Sequence, residues 1–264
     1  MSGLRGRTVL VTRPSDQAEV LVRLLEARGA TAIVAPAIDI RPVRSGALAR
    51  ALEELAAGRF AWVTLTSAAT VDILAARVRP EDVRARLAVV GEGTAVALAA
   101  WVGRPADLMP RVFETEALAA AFPPGRGRVL CLRADIAPPG FEDALAAKGW
   151  TPTRVDAYRT VLARRLPPEA RAALRGGRVD AITFTSASTV RGFVRASHGP
   201  PATDVAGRPR IVCIGPVTAR EARASGLYAS AVARFSIGLS GFALSCFQVF
   251  CSSAPSWLAS GVGS

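Results

Sequence analysis

Two uncharged, hydroxyl-rich phrases, LTSAATV at 65–71 and FTSASTV at 184–190, stand 119 residues apart in this 264-residue chain. Each follows a short apolar run and precedes a stretch of helical spacing, so Ser67 and Ser186 fall where a strand ends and a helix begins. A hydroxyl at that place can cap the first helical turn, which stabilises it by about 1 kcal/mol. It can also join the N–H groups of that turn in holding an anionic oxygen without a fixed charge. GEGTA at 91–95 and GPVTA at 215–219 repeat the strand, glycine, helix grammar. They add Thr94 and Thr218, with Gly215 a position at which a ligand can approach the backbone closely. Arg13 and Arg133 each close an apolar strand-like run, VLVTR at 9–13 and VLCLR at 129–133. Taken singly, each arginine reads better as a solvated surface residue; taken together, the four oxygen-rich helix starts suit a ligand with several carboxylates.

Other chemistries find little support. The sole histidine, His198, sits in the loop-like RASHGPP and has no serine or carboxylate arrangement for nucleophilic catalysis. Cys131, Cys213, Cys246 and Cys251 lack C-x-x-C spacing, so no metal site is expected, and the first two read as core. Neither glycine motif completes a dinucleotide fingerprint or a phosphate loop, so no cofactor is expected. Asp39, Asp135 and Asp156 are scattered without acid/base spacing. Tyr158, one of two tyrosines, reads either as a packing residue with a satisfied hydroxyl or as a proton donor. An enzyme with these residues would work by positioning more than by a strong nucleophile.

The formal net charge of +12 invites a nucleic-acid reading, but 32 of the 33 basic residues are arginines and Lys148 is the only lysine. That bias, without basic runs interleaved with aromatics, points to arginine-rich codon usage, and no nucleic-acid partner is expected. The leading MSGLRGRTVLVTRP runs from a short polar lead into a strand and does not read as a signal peptide, so the cytoplasm is the expected location.

The elements that must position these residues are written twice. VLVTR is echoed by VLCLR, LEARGA at 25–30 by LAAKGW at 145–150, and VVGEGTA at 89–95 by CIGPVTA at 213–219, each about 120 residues on. Ile38 thereby falls opposite Tyr158. Short Val/Ile/Leu runs alternate with Ala/Leu/Arg stretches of helical period, the pattern of parallel sheets covered by helices on both faces. The fold class expected is therefore α/β, two similar lobes joined by two connecting segments. APAIDIRPV at 35–43 and RVDAYRTVLA at 154–163 are the connectors. On that reading residues 1–38 and 163–264 form a discontinuous first lobe, residues 42–157 an inserted second lobe, and the cleft between them a ligand site.

In this order VLVTRP, LTSAATV, VGEGTA, DAYRTV, ITFTSASTV and IGPVTA resemble the uroporphyrinogen-III synthases of tetrapyrrole biosynthesis over roughly residues 6–230. The resemblance implies two α/β lobes joined by a two-stranded connector. It also implies closure of the linear tetrapyrrole hydroxymethylbilane, which carries eight carboxylates, to uroporphyrinogen III with inversion of ring D and loss of water. In the family's proposed mechanism hydroxide leaves the ring A hydroxymethyl group to give an azafulvene. Ring D attacks through its substituted position, and the spiro intermediate fragments, recombines inverted and closes. The resemblance assigns assistance of the leaving hydroxyl to Tyr158, through AYRT, and lines the cleft with Thr12, Arg13, Ser67, Thr94, Thr185, Ser186 and Thr218, with Arg133 a further candidate. A cytoplasmic, cofactor-free monomer with no membrane partner is expected. A two-lobed binding module for a polyanionic metabolite would use the same residues without turnover.

The end of the chain departs from that pattern. ARFSI at 233–237 starts as a strand would, but no charged residue follows Arg234. Residues 235–251 are too short and too rich in Ser and Gly for a membrane span of about 20 apolar residues. An altered reading frame or a spliced-on end is the expectation, with an exposed apolar patch as its consequence.

Overall fold

Side-chain parity along each strand builds the two sheets. In β1 (Thr8–Val11), Val9 and Val11 pack into one apolar cluster with Ala181 and Val212, whereas Leu10 packs into another with Ile33, Ile182, Phe184 and Cys213. Successive strand residues point to opposite faces, so an unbroken apolar run signals a sheet covered on both. The first cluster is covered by Ala18, Leu21 and Leu25 of α1 (Ser15–Glu26). The second is covered by α7 (Pro168–Arg175), α8 (Ala187–Ala196) and Ala222 of α9 (Pro216–Ala224). The other strands of this sheet are β2 (Thr31–Val34), β8 (Ala181–Phe184), β9 (Arg210–Cys213) and β10 (Ala229–Val232). Their order is β10-β9-β8-β1-β2, with every neighbouring pair parallel.

The second sheet follows the same logic. It contains β3 (Ile38–Pro42), β4 (Trp62–Leu65), β5 (Arg86–Val89), β6 (Arg128–Ala134) and β7 (Thr151–Leu162), in the order β3-β7-β6-β4-β5. The pairs β7–β6, β6–β4 and β4–β5 are parallel. Val63, Leu65, Leu87, Val89, Leu130 and Leu132 face α2 (Gly46–Ala56), α3 (Ala68–Ala75) and Leu98 of α4 (Glu92–Val102). Trp62, Ala88, Val129 and Cys131 face α5 (Thr115–Ala121) and α6 (Phe141–Ala146).

The computed structural model describes residues 4–197 and 209–232. His198, Cys246, Cys251 and the uncharged tail lie outside them. The chain divides into one unit made of the residues up to Asp39 with those from Leu162, and a second unit, Ile40–Val161. Among the described residues no helix is long and apolar enough to cross a membrane.

The duplication has an unusual form. The offset of about 120 residues matches β1-α1-β2 with β6-α6-β7, and β4-α3-β5-α4 with β8-α8-β9-α9. Calling these segments X and Y, the chain reads X-Y-X-Y; the inner Y and X make one unit, and the outer X and Y make the other. The resulting strand orders coincide: β2-β1-β8-β9 corresponds to β7-β6-β4-β5. One close approach in the discontinuous unit needs a glycine, because a Cβ at Gly192 in α8 would lie 2.0 Å from the Ala37 carbonyl oxygen.

Candidate active site

In the Ile40–Val161 unit, the carboxyl ends of the parallel strands bring Ser67, Thr94 and Tyr158 to one edge of the sheet. Ser67 is the N-cap of α3, with extended backbone, and its Oγ accepts the Thr70 N–H at 3.3 Å. The Tyr158 hydroxyl donates to the same oxygen at 3.0 Å. A serine hydroxyl has two acceptor lone pairs and one proton, so with both lone pairs engaged its own O–H is the group that can donate outward. Tyr158 is 7% exposed. Burial raises its pKa above the ordinary phenol value; the Ser67 hydrogen bond opposes this, the Asp135 charge adds to it and Arg133 lowers it. The phenol therefore keeps its proton throughout the neutral range. Thr94, the third residue of α4, is buried, and Gly91 at the N-cap brings no side-chain acceptor to that helix start.

The discontinuous unit repeats the arrangement with different partners. Ser186 caps α8 in a full capping box: its Oγ accepts the Thr189 N–H at 3.2 Å, while the Thr189 hydroxyl accepts the Ser186 N–H at 3.2 Å. Its hydroxyl also lies 2.9 Å from that of Ser188. Thr185 is half-buried beside it. α9 starts at Gly215 without a side-chain cap, and Thr218 in its first turn is buried. Gly215 has φ −172°, extended backbone open to any residue, and an added Cβ would meet nothing within 4 Å. Local packing thus gives no reason for glycine at 215, unlike Gly91, where a Cβ would press on the Phe113 ring at 3.2 Å.

The two strand-end arginines part company. Arg133 is 1% exposed, and its guanidinium donates to Glu142 Oε1 at 3.1 Å and the Pro138 carbonyl at 3.2 Å while lying 4.9 Å from the Phe141 ring centroid. It ties down the loop between β6 and α6, in place of the ligand-facing position expected for it. Arg13 has Val22 where Arg133 has Glu142, and its guanidinium donates to Gln17 Oε1 over a long 3.5 Å. Its Nε is buried without a hydrogen-bond partner. Burial lowers its pKa, against the attraction of Asp16.

Thr12 also departs from its expected place. It is fully buried, and its hydroxyl donates to the Thr183 carbonyl at 2.6 Å while the Thr183 hydroxyl donates to the Leu10 carbonyl at 3.0 Å. The pair cross-links β1 and β8 beneath the edge. Asp135, one of the scattered carboxylates, instead lies beside Tyr158: its backbone N–H donates to the Tyr158 carbonyl at 3.0 Å. The pairing of Ala134 with Tyr158 across β6 and β7 is the only signal that joins them.

A protein-family model described as uroporphyrinogen-III synthase HemD matches residues 19–237. A uroporphyrinogen-III synthase of Synechococcus elongatus is 34% identical over 229 residues, 81% of this chain and 85% of that protein. The porphyrin biosynthesis protein HemD of Ruminiclostridium josui is 30% identical over 83% of this chain, which spans 44% of its length. Among solved structures, a mutant uroporphyrinogen III synthase of Thermus thermophilus superposes over 92% of this chain and 98% of its own, with TM-score 0.63 at 23% identity. The Helicobacter pylori synthetase gives TM-score 0.55 at 14% identity, over 91% of this chain and 98% of its own. At such identities the structural matches speak for the fold: paired parallel sheets flanked by helices. With a family match across most of the residues that build both sheets, and a relative one-third identical over most of both chains, this chain belongs to the uroporphyrinogen-III synthase family.

Proposed function

We propose that the chain closes hydroxymethylbilane to uroporphyrinogen III with inversion of ring D, releasing water, as a cofactor-independent cytoplasmic monomer. Family membership over residues 19–237 carries the reading, and the protonated phenol held 3.0 Å from a serine at a helix start gives it a chemical means. The groups offered to substrate carboxylates are Ser67 and the α4 start, and, on the other sheet edge taken by itself, Arg13, Thr185, Ser186 and the Gly215–Thr218 turn. Thr12 and Arg133 take no carboxylate on this reading, because the Thr12 hydroxyl and both terminal nitrogens of Arg133 are already hydrogen-bonded.

The reaction begins when the ring A hydroxymethyl group loses its oxygen. Hydroxide is a poor leaving group, so a proton or hydrogen bond supplied as the C–O bond breaks lowers the barrier. Tyr158 donates to Ser67, and Ser67 can donate outward, so the pair forms a short relay that releases water and takes back a proton when the macrocycle closes. A phenol of raised pKa is a weak acid at neutral pH, and its share is accordingly modest. The larger share belongs to holding the chain of four pyrroles so that ring D attacks through its substituted position.

The test is to generate hydroxymethylbilane in place, add the protein, oxidise the product and separate the type I and type III uroporphyrin isomers. Excess type III is expected. Type I alone, from folded protein, overturns the reading in favour of a binding module. Tyr158→Phe should lower the rate by about 10- to 100-fold with the fold unchanged by circular dichroism, and full activity in that variant removes Tyr158 from the mechanism.

A further inference from the structure

Strand parity breaks at Tyr158. Val155 and Ala157 of β7 face the cluster that contains Val63 and Leu65, and alternation would turn residue 158 to the opposite face. Tyr158 nevertheless packs into that same cluster, directly after Ala157. The cause is a bulge. Arg133 pairs with Asp156, and the next β6 residue, Ala134, pairs with Tyr158, so β7 carries one residue more than its partner. Bulges of this kind leave a residue unpaired, bend the strand and re-aim a side chain. Here the re-aimed side chain is the phenol, and its new direction is the one that reaches Ser67.

We propose that Asp135 is the positioning residue that holds this bulge and thereby keeps the Tyr158 hydroxyl on Ser67. Its backbone N–H donates to the Tyr158 carbonyl at 3.0 Å, and its Oδ1 accepts the N–H of Thr160 at 2.9 Å. One residue therefore grips β7 at Tyr158 and two positions beyond, where the regular β6–β7 ladder has ended. The same Oδ1 accepts the Ile136 N–H at 2.9 Å, which turns the chain away from the strand. The grip has fixed backing. Arg154 donates to the Ala134 and Ala137 carbonyls at 3.5 and 3.3 Å, and the buried Arg133 donates to Pro138 at 3.2 Å. Asp135 touches no reacting atom; it acts through the backbone of Tyr158.

The inference rests on Tyr158 serving the reaction as proposed above, so its test needs one readout independent of turnover. Tyr228 is the only other tyrosine. In a Tyr228→Phe protein grown with 3-fluorotyrosine, a single fluorine resonance reports the surroundings of Tyr158. Asp135→Ala should shift or broaden that resonance and lower kcat by about 10- to 100-fold with KM within about twofold of the parent. Asp135→Asn keeps a side-chain oxygen for the Thr160 N–H and should restore most of the rate and the parental resonance. An unchanged resonance in Asp135→Ala overturns the inference whatever the kinetics. So does a loss that Asp135→Asn fails to rescue and that raises KM in step, the mark of general structural damage. If Tyr158→Phe is fully active while the resonance moves as expected, the role of Tyr158 in the reaction fails and the positioning by Asp135 stands.

Discussion

Lys148→Arg exchanges one cation for another in a chain where every other basic residue is arginine, and the structure says the exchange is not conservative. The Lys148 ammonium donates to the carbonyls of Ala119, Ala120 and Phe122 at 2.8, 2.7 and 2.6 Å. These are last-turn and C-cap carbonyls of α5; that of Ala119 also accepts the Phe122 N–H at 3.3 Å. An ammonium directs three N–H bonds at three converging acceptors, whereas a planar guanidinium cannot turn its donors to the same point. A hydrogen bond to a charged group contributes about 1.5–3 kcal/mol, and a cation at a helix carboxyl end about 0.3–1 kcal/mol more. Water reaches part of the site and replaces part of that loss. Lys148→Met should therefore cost about 2–3 kcal/mol and Lys148→Arg about 1–2 kcal/mol. Trp62, Trp101 and Trp150 all belong to the Ile40–Val161 unit, so tryptophan fluorescence in a Trp257→Phe background follows the unfolding of that unit in urea. A Lys148→Arg midpoint giving stability within about 0.5 kcal/mol of the parent would place the exchange among ordinary surface substitutions and refute the argument.

Three further outcomes can be checked. Gly192→Ala gains about 1 kcal/mol of helix propensity, but its Cβ would lie 2.0 Å from the Ala37 oxygen, so a net loss of about 2 kcal/mol or more is expected in thermal unfolding; a stabilised variant would contradict the close packing. The buried thiols of Cys131 and Cys213 are both pushed up to about 12 by burial. The folded chain then holds these protons more tightly than the unfolded one, so stability is intact below about pH 8.5 and falls above it by up to about 1.4 kcal/mol per thiol per pH unit. The raised Tyr158 acts in the same direction. Urea midpoints at about pH 8 and pH 10 should diverge less in a Cys131→Ala/Cys213→Ala protein, and equal divergence would discount the thiols. Ser67→Ala and Ser186→Ala should each lose about 1 kcal/mol of cap stability, but Ser67→Ala should lower kcat as Tyr158→Phe does, whereas Ser186→Ala should act chiefly by raising KM, a split that steady-state kinetics would reveal.

The α/β class was legible because parity and helical period repeat with an offset of about 120 residues, and the same repetition put Ser67 and Ser186 at helix starts. Features that depend on where a side chain turns were not legible. Arg13 and Arg133 end equivalent strands and look alike in sequence, yet the carboxylate that draws Arg133 inward arrives nine residues later, once the chain has come back as α6. Thr12 stands next to Arg13 at the strand end but points into the sheet, where an unpaired hydroxyl would be costly and Thr183 supplies the acceptor. The bulge at Ala157 leaves no mark in composition, since a one-residue slip changes direction without changing residue type. Nothing in the sequence gives the single lysine a role; at position 148 its ammonium reaches three carbonyls about 26 to 29 residues earlier in the chain.

The duplication explains why the two sheet edges share a geometry, and the later divergence explains why only one of them carries a proton donor. At the position of Tyr158 the other copy has Ile38, and at the position of Ser188 it has Ala69. Ser67 is consequently bridged by a phenol, whereas Ser186 is bridged by a second serine. In the opposite sense, Val22 stands where Glu142 pairs with Arg133, so Arg13 has no acid at that position. Both edges keep the neutral helix-start grammar that suits a carboxylate, because losing it would also cost a cap. The residues that differ are those whose change leaves the caps intact. An X-Y-X-Y chain can thus keep two capped helix starts constant while one edge gains a phenol and the other a strand-end guanidinium with no acid at the Glu142 position.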